Sequence, residues 1–236
     1  MTRLVAALLL AAFAAACAPL PEPGPPSPPA APESALPPPD VAAANFVAVV
    51  ERVEPVAERL CRETAPARNC DIEILVDARH GLPPNAFHTI AKDGTPLVIF
   101  TISLIAEARN QDELAFIMGH EAAHYILGHI ARAQTRAAEG ALIAGVLGQL
   151  TGADIATVRR MQRVAAEVRA RSYSKAYELE ADALGARIAL AAGYDPIRGA
   201  EYFTRIPDPG NRFLATHPPN AARIAVVRQA VAGVGG

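Results

Sequence analysis

Three residues in one short stretch can do chemistry together: His120, Glu121 and His124, within Gly119-His120-Glu121-Ala122-Ala123-His124. Residues four apart on a helix lie about 40° apart on one face, so the two imidazoles can aim nitrogens at a single point. That is the two-histidine half of a zinc site. Glu121, next to the first ligand, is placed to act as general base on a metal-bound water. The pattern also arises by composition, on the order of once in a hundred chains of this length. What distinguishes this copy is its setting, an apolar run from Leu114 to Ile130 that reads as one helix. Phe116, Ile117, Met118, Tyr125, Ile126 and Leu127 place apolar groups on nearly every side. A helix apolar all round is buried, and buried ionisable groups need partners. Asn110 followed by Glu113 gives a capping-box start, with Asp112 and Glu113 in the turn where the helix dipole favours negative charge.

A catalytic zinc site of this type takes a third protein ligand. His129 is unsuited, because five residues past His124 is about 140° round the same helix. Positions 127 and 130 hold Leu127 and Ile130, so the metzincin pattern of glycine and histidine there is absent. The better source is the helix opening at Ser174 and running through Glu178-Leu179-Glu180-Ala181-Asp182-Ala183-Leu184-Gly185 towards Gly193 and Pro196. Glu178 and Asp182 share one face, and the small residues Ala181 and Gly185 beside them let this helix approach the histidine helix, itself slimmed by Ala122 and Ala123. Glu178 then completes a His₂Glu site, and Asp182 accepts the free N–H of a ligand histidine. Glu180 points some 160–200° away and reads as solvated. Taken alone, the same stretch reads as an acidic helix face paired with arginines.

The elements that must position these residues follow from pattern. Val41 to Leu60 reads as a helix, Ile72 to Val76 as a strand, Ala86 to Ile90 as a weaker strand and Pro96 to Thr101 as another. Asp93-Gly94 marks a hairpin turn between the last two. Ser103 to Ala108 reads as a short helix leading to the histidines. The expected class is α+β, mainly helical, with a small antiparallel sheet packed on the His-Glu-x-x-His helix. The strand near Asn85-Ala86-Phe87 is a candidate edge for an extended peptide, or plain structural sheet. Ala141 to Leu150 is a ten-residue apolar run, too short to span a bilayer, expected as core or as cover over the active site rather than as membrane contact. Ala153 to Arg171 reads as an arginine-rich helix with a solvated face.

The N-terminus reads differently. Arg3 precedes an apolar stretch, Leu4 to Ala16, that is too short for a membrane span. Ala14-Ala15-Ala16-Cys17 resembles the lipobox of bacterial lipoproteins, with Cys17 as the lipidated residue; ordinary Ala-x-Ala cleavage is the alternative. By resemblance to bacterial sorting rules, Ala18 points to the outer membrane. Eleven of the residues from Pro19 to Pro39 are proline, a composition that builds no core and reads as an extended tether. The expected organisation is 1–17 signal peptide, 18–40 Pro-rich disordered tether, and 41–236 one folded domain. Once Cys17 is taken by lipid, Cys61 and Cys70 remain as an even pair, read as a disulfide in an oxidising compartment, with two free thiols as the alternative. The chain is 51% hydrophobic and 19% charged with net charge −2, so nothing calls for nucleic acid.

His-Glu-x-x-His, then Glu178-Leu179-Glu180-Ala181-Asp182-Ala183-Leu184-Gly185, then Thr216-His217-Pro218-Pro219-Asn220-Ala221-Ala222-Arg223-Ile224 together resemble peptidase family forty-eight. That is the family of HtpX, the CAAX prenyl protease and the BepA-like minigluzincins, and the likeness covers roughly Asp71 to Ile224. It implies a zincin-like zinc metallopeptidase of the lipoprotein branch, with one Zn²⁺ held by His120, His124 and Glu178, Glu121 as catalytic base and Asp182 as supporting aspartate. His217 is implied near the active site, at the metal or the oxyanion, or is merely a loop histidine before the last helix. Arg223 reads as a structural ion-pair partner. Lys175 stands where relatives often carry arginine. The implied function is a metalloendopeptidase cleaving extended or misfolded cell-envelope proteins, lipid-anchored at the periplasmic face of the outer membrane. The rival readings are a chaperone-like lipoprotein whose zinc site is closed and structural, and a purely structural lipoprotein with a coincidental motif.

Overall fold

The computed structural model describes residues 36–172, 174–208 and 217–234. The signal peptide, Cys17 and most of the Pro-rich segment lie outside the described residues, as does Thr216. Helix α1 (Pro39–Thr64) opens with Pro39 in its first turn, where a missing N–H costs nothing. It therefore takes in the last two residues of the expected tether and continues past Leu60. Phe46, Val49, Val53 and Val56 recur at helical spacing along its buried face. Cys61, in its last turn, is bonded to Cys70, with Cα atoms 5.7 Å apart.

Strands β1 (Glu73–Asp77), β2 (Ala86–Ile90) and β3 (Pro96–Thr101) form one sheet in the order β1-β3-β2. The β2–β3 hairpin is antiparallel and closes through Ala91 and Thr95, with Gly94 at φ +94° in the turn. β1 runs parallel to β3, so the sheet is mixed and not antiparallel throughout. A parallel neighbour is reached by a crossover whose hand no local turn signal encodes. Helix α2 (Ile102–Glu107) is capped by Thr101, whose side chain accepts from the Leu104 N–H.

Helix α3 (Gln111–Ile126) carries the histidine motif. Asn110 caps it by accepting the Glu113 N–H at 3.0 Å. Glu113 returns its bond to the Arg109 N–H at 2.9 Å, one residue earlier than a capping box would, and is otherwise clamped by Arg205 at 2.6 and 2.7 Å. The expected single helix to Ile130 is broken: Gly128 adopts φ +68° and α4 (His129–Leu150) begins anew. Helix α5 (Ile155–Ser172) has no buried residue, in keeping with a solvated arginine-rich helix. Helices α4 and α5 pack chiefly on one another, and Leu142, Ile143, Val146, Leu147 and Leu150 are exposed. Only Ala144, Gly145 and Gly148 of the Ala141–Leu150 run are buried, against α5; its large side chains are exposed and not core, and none of the run lines the cleft over His120 and His124.

Helix α6 (Ser174–Ala191) crosses α3, and short α7 (Pro196–Gly199), a 3-10 turn (Ala200–Thr204) and α8 (Asn220–Ala232) complete the domain. The α3–α6 crossing rests on Gly119 and Gly185. A Cβ on Gly119 would come 2.7 Å from the Gly185 carbonyl oxygen, and one on Gly185 would come 2.7 Å from the His120 nitrogen. No larger residue permits that approach.

Candidate metal centre

The close crossing sets Glu178 of α6 opposite the two histidines of α3. His120 Nε2 lies 3.0 Å from His124 Nε2 and 3.6 Å from Glu178 Oε2, and His124 Nε2 lies 3.3 Å from Glu178 Oε1. A tetrahedral zinc with bonds of about 2.0–2.1 Å has ligand atoms roughly 3.3–3.4 Å apart. The three separations bracket that edge, so the residues fit the ion. Among the described residues these three form the one group able to hold a metal.

The supporting contacts fix the ligands. Asp182 Oδ1 sits 2.9 Å from His120 Nδ1, which leaves Nε2 to face the common point. Arg223 of α8 grips Asp182 with two parallel bonds of 2.8 and 2.7 Å and lies over the Phe203 ring. Its Nη2 is also 3.5 Å from Glu178. Arg223 is therefore an ion-pair partner as expected, but one built into the centre itself. Burial opposes a charge on His120, yet the Asp182 and Glu178 carboxylates outweigh it and hold its pKa up at about 10. Burial works against an ionised Glu178, but contacts with His120, His124 and His217 pull it far below the usual carboxylate range. Asp182 is likewise lowered, against its burial, by Arg223 and His120. Burial lowers His124, against the pull of Glu178. The Asp182 and Glu178 carboxylates thus favour positive charge at His120, as they would favour a bound cation.

Several contributors had little signal in the sequence. His129 is no ligand, but it is buried beside the site: its Nδ1 lies 2.7 Å from His124 Nδ1 and its Nε2 3.2 Å from Glu180 Oε2. Burial and the neighbouring His124 lower its pKa to about 4. Glu180 is about two-fifths exposed, as expected of a solvated group, but it is paired, with His129 and with Arg132. The break at Gly128 turns His129 back towards α6, which an unbroken helix could not do. His88 of β2 stacks on His124 with centroids 5.1 Å apart, and its Nδ1 lies 3.4 Å from Glu121 Oε2. Period-two alternation puts His88 on the face of Ala86, the signal that would have flagged it. His217 is half-exposed, with Nδ1 3.0 Å from Glu178 Oε2, so it reaches the site through the carboxylate.

A cavity of about 390 Å³ opens over these groups, walled by His120, Glu121, His124, Glu178, His217 and Arg223 on one side and Asn85, Ala86 and His88 on the other. Asn85 and Ala86 of the expected edge segment therefore line the same cleft as His120, Glu121, His124, Glu178 and His217, while Asp182 lies buried behind it.

The fold is a mainly helical α+β domain of the zincin-like kind, and its site brings together two histidines and a carboxylate that could hold a metal, with a second carboxylate beside them. The chain belongs to Peptidase family M48, whose profile matches residues 48–231. It is 28% identical over 138 residues to the mitochondrial metalloendopeptidase OMA1 of Arabidopsis thaliana, covering 57% of this chain and 27% of that protein. It is 31% identical over 123 residues to the putative beta-barrel assembly-enhancing protease of Vibrio cholerae serotype O1, covering 49% of this chain and 25% of that one. The matches span about a quarter of the length of these relatives.

Proposed function

We propose that this protein is a zinc-dependent endopeptidase acting on extended or misfolded polypeptides of the cell envelope, exported and held by lipid on Cys17 at the periplasmic face of the outer membrane. The observation that carries the catalytic part is the convergence of His120 Nε2, His124 Nε2 and Glu178 at tetrahedral spacing, with Glu121 in the same cleft. His120, His124 and Glu178 would hold Zn²⁺, which when bound acidifies a water and polarises a carbonyl.

The chain's own residues do the rest. Glu121 takes the proton of the attacking water and passes it to the leaving amine. Asp182 holds His120 in the tautomer that frees Nε2, and Arg223 keeps Asp182 ionised against burial. Among the described residues β2 bonds to β3 on one side only, so its other edge can pair with an extended substrate backbone and draw it across the cleft. The envelope setting rests on the lipobox-like Cys17 and on the beta-barrel assembly-enhancing relative.

The test is zinc content together with casein hydrolysis by the full chain and by Glu121→Gln. About one zinc per chain is expected in both, with hydrolysis lowered by roughly 10²–10⁴ in the variant; equal rates would remove Glu121 from its role. A closed, structural zinc site is the second reading, favoured by the contact of His217 with Glu178. His217→Ala separates the two. The catalytic reading expects zinc retained and hydrolysis slowed, whereas the closed one expects zinc binding to weaken. For the anchor, labelled palmitate should enter the expressed chain and not Cys17→Ser; an unlabelled parent would contradict it.

A further inference from the structure

The α4–α5 hairpin is packed inside out for a water-facing helix pair. Its contact surface is made by small residues: Gly140, Ala144, Gly145 and Gly148 are the buried residues of α4 beyond His129. A Cβ on Gly140 would meet the Ala165 carbonyl oxygen at 2.5 Å, and one on Gly148 would meet Val158 at 2.8 Å. The large apolar residues consequently face outward, with Leu142, Leu150 and Ile155 at 68%, 78% and 73% exposure. Ile143 and Leu147 with Met161, Val164 and Val168 line an open apolar groove of about 540 Å³. Small residues between helices and large apolar ones outside is the arrangement of helices that face lipid.

Charge points the same way. No ionisable residue occurs from Gly140 to Ala153, around the hairpin tip. Behind the tip, Arg159, Arg160 and Arg163 are exposed and have no carboxylate partner among the described residues. From His129 to Ser172 seven arginines face three carboxylates, a net +4, in a chain that totals −2, so the remainder carries −6. Pairing two hairpins would bring like charges together; an anionic bilayer offers apolar depth and negative headgroups at once. No described helix is long and apolar enough to cross a membrane, so the fit is to the interface.

We propose that the α4–α5 hairpin docks on an anionic lipid surface, its apolar tip entering the headgroup boundary and Arg159, Arg160 and Arg163 contacting lipid phosphates. This contact is separate from any lipid on Cys17 and independent of the peptidase chemistry. The test is flotation of the full chain carrying Cys17→Ser with mixed phosphatidylglycerol–phosphatidylcholine vesicles and with phosphatidylcholine alone. Residues 1–35 are the same in every sample, so differences report on the hairpin. Binding to the anionic vesicles is expected to fall at least about tenfold on Leu142→Gln/Leu147→Gln/Leu150→Gln, and about tenfold or more on Arg159→Gln/Arg160→Gln/Arg163→Gln or in high salt. The substituted side chains are largely in solvent, and unchanged circular dichroism and metal content check the fold. Equal partition of all chains into vesicles would overturn the proposal. So would a parent chain that ignores the vesicles; if the leucine variant then also lowered the molar mass in solution, the face would belong to a second copy of the chain.

Discussion

Two helix pairs in this molecule use the same packing device to opposite ends. At α3–α6 the contact of Gly119 with Gly185 brings two backbones together, and the residues beside it are polar: His120 faces Asp182 at 2.9 Å and Glu178 at 3.6 Å. The large apolar residues of α3, Phe116 and Met118 among them, turn into a core supplied by α1, the sheet and α7. At α4–α5 the glycines also make the contact, but no described element covers what turns outward. Glycine at a helix crossing thus decides only how near the axes come. What the neighbouring positions then do, bind an ion or meet a surface, depends on what the rest of the fold places over them.

The widest gap between the pairs is expected in their charges. Asp182 is fully buried between His120 and Arg223. Asp182→Asn leaves Arg223 facing a neutral amide in the interior, and should cost about 3–5 kcal/mol of unfolding free energy and about 10–100-fold in zinc affinity. On the hairpin, Glu139 pairs with Arg136 and Arg169 while about two-fifths exposed. Glu139→Gln should change stability by less than about 1 kcal/mol. Denaturant melts and metal titration of the two variants measure the contrast directly; equal costs would erase it.

A smaller difference should appear at the glycines. Gly185→Ala puts a methyl 2.7 Å from the His120 nitrogen, a backbone atom that moves only with the helix. It should cost about 1–3 kcal/mol and weaken metal binding. Gly145→Ala meets the tip of the Gln162 side chain at 2.6 Å, which can rotate aside. The gain in helix propensity should leave that variant level or about 0.5–1 kcal/mol more stable. Loss of stability in both, seen by thermal melting, would mean that the hairpin contact is as constrained as the metal-bearing one.

The site residues were legible in pairs because the pairs are local. His120 with His124, and Glu178 with Asp182, are each one helical turn apart, so the helix period alone places them on common faces. The hairpin from Asp93-Gly94 was legible for the same reason. What escaped depended on distant partners or on a local signal outweighed by its surroundings. Gly128 was visible as a glycine, but Tyr125, Ile126 and Leu127 before it and Ile130 after it masked the stop, and with it the return of His129 towards Glu180. His88 acquires its place beside Glu121 only when β2 packs on α3. The parallel pairing of β1 with β3 depends on a crossover, not on a turn. Ala141–Leu150 was misplaced because hydropathy records which residues avoid water and says nothing of whether the fold supplies a cover. The disulfide of Cys61 with Cys70 needed only a count and a short separation.

The least of the expected contrasts concerns alkali. The hairpin from His129 to Ser172 contains no tyrosine, whereas the body buries Tyr202 in the wall of the cleft. Burial, reinforced by the negative charge of Glu107, pushes that phenol up to about 12. An ordinary tyrosine ionises near pH 10, so between about pH 10 and 12 the unfolded chain releases a proton that the folded chain keeps. The stabilising contribution of neutral Tyr202 is therefore complete below about pH 10 and is lost as pH rises towards about 12. At about pH 11 the loss from this one group should be about 1 kcal/mol. Denaturant unfolding of wild type and Tyr202→Phe at about pH 9 and about pH 11 isolates it, since every other alkaline group is common to both. The stability difference should shift in favour of the Tyr202→Phe variant by that amount as pH rises. A difference that does not move with pH would show that the phenol is hydrated in the folded state.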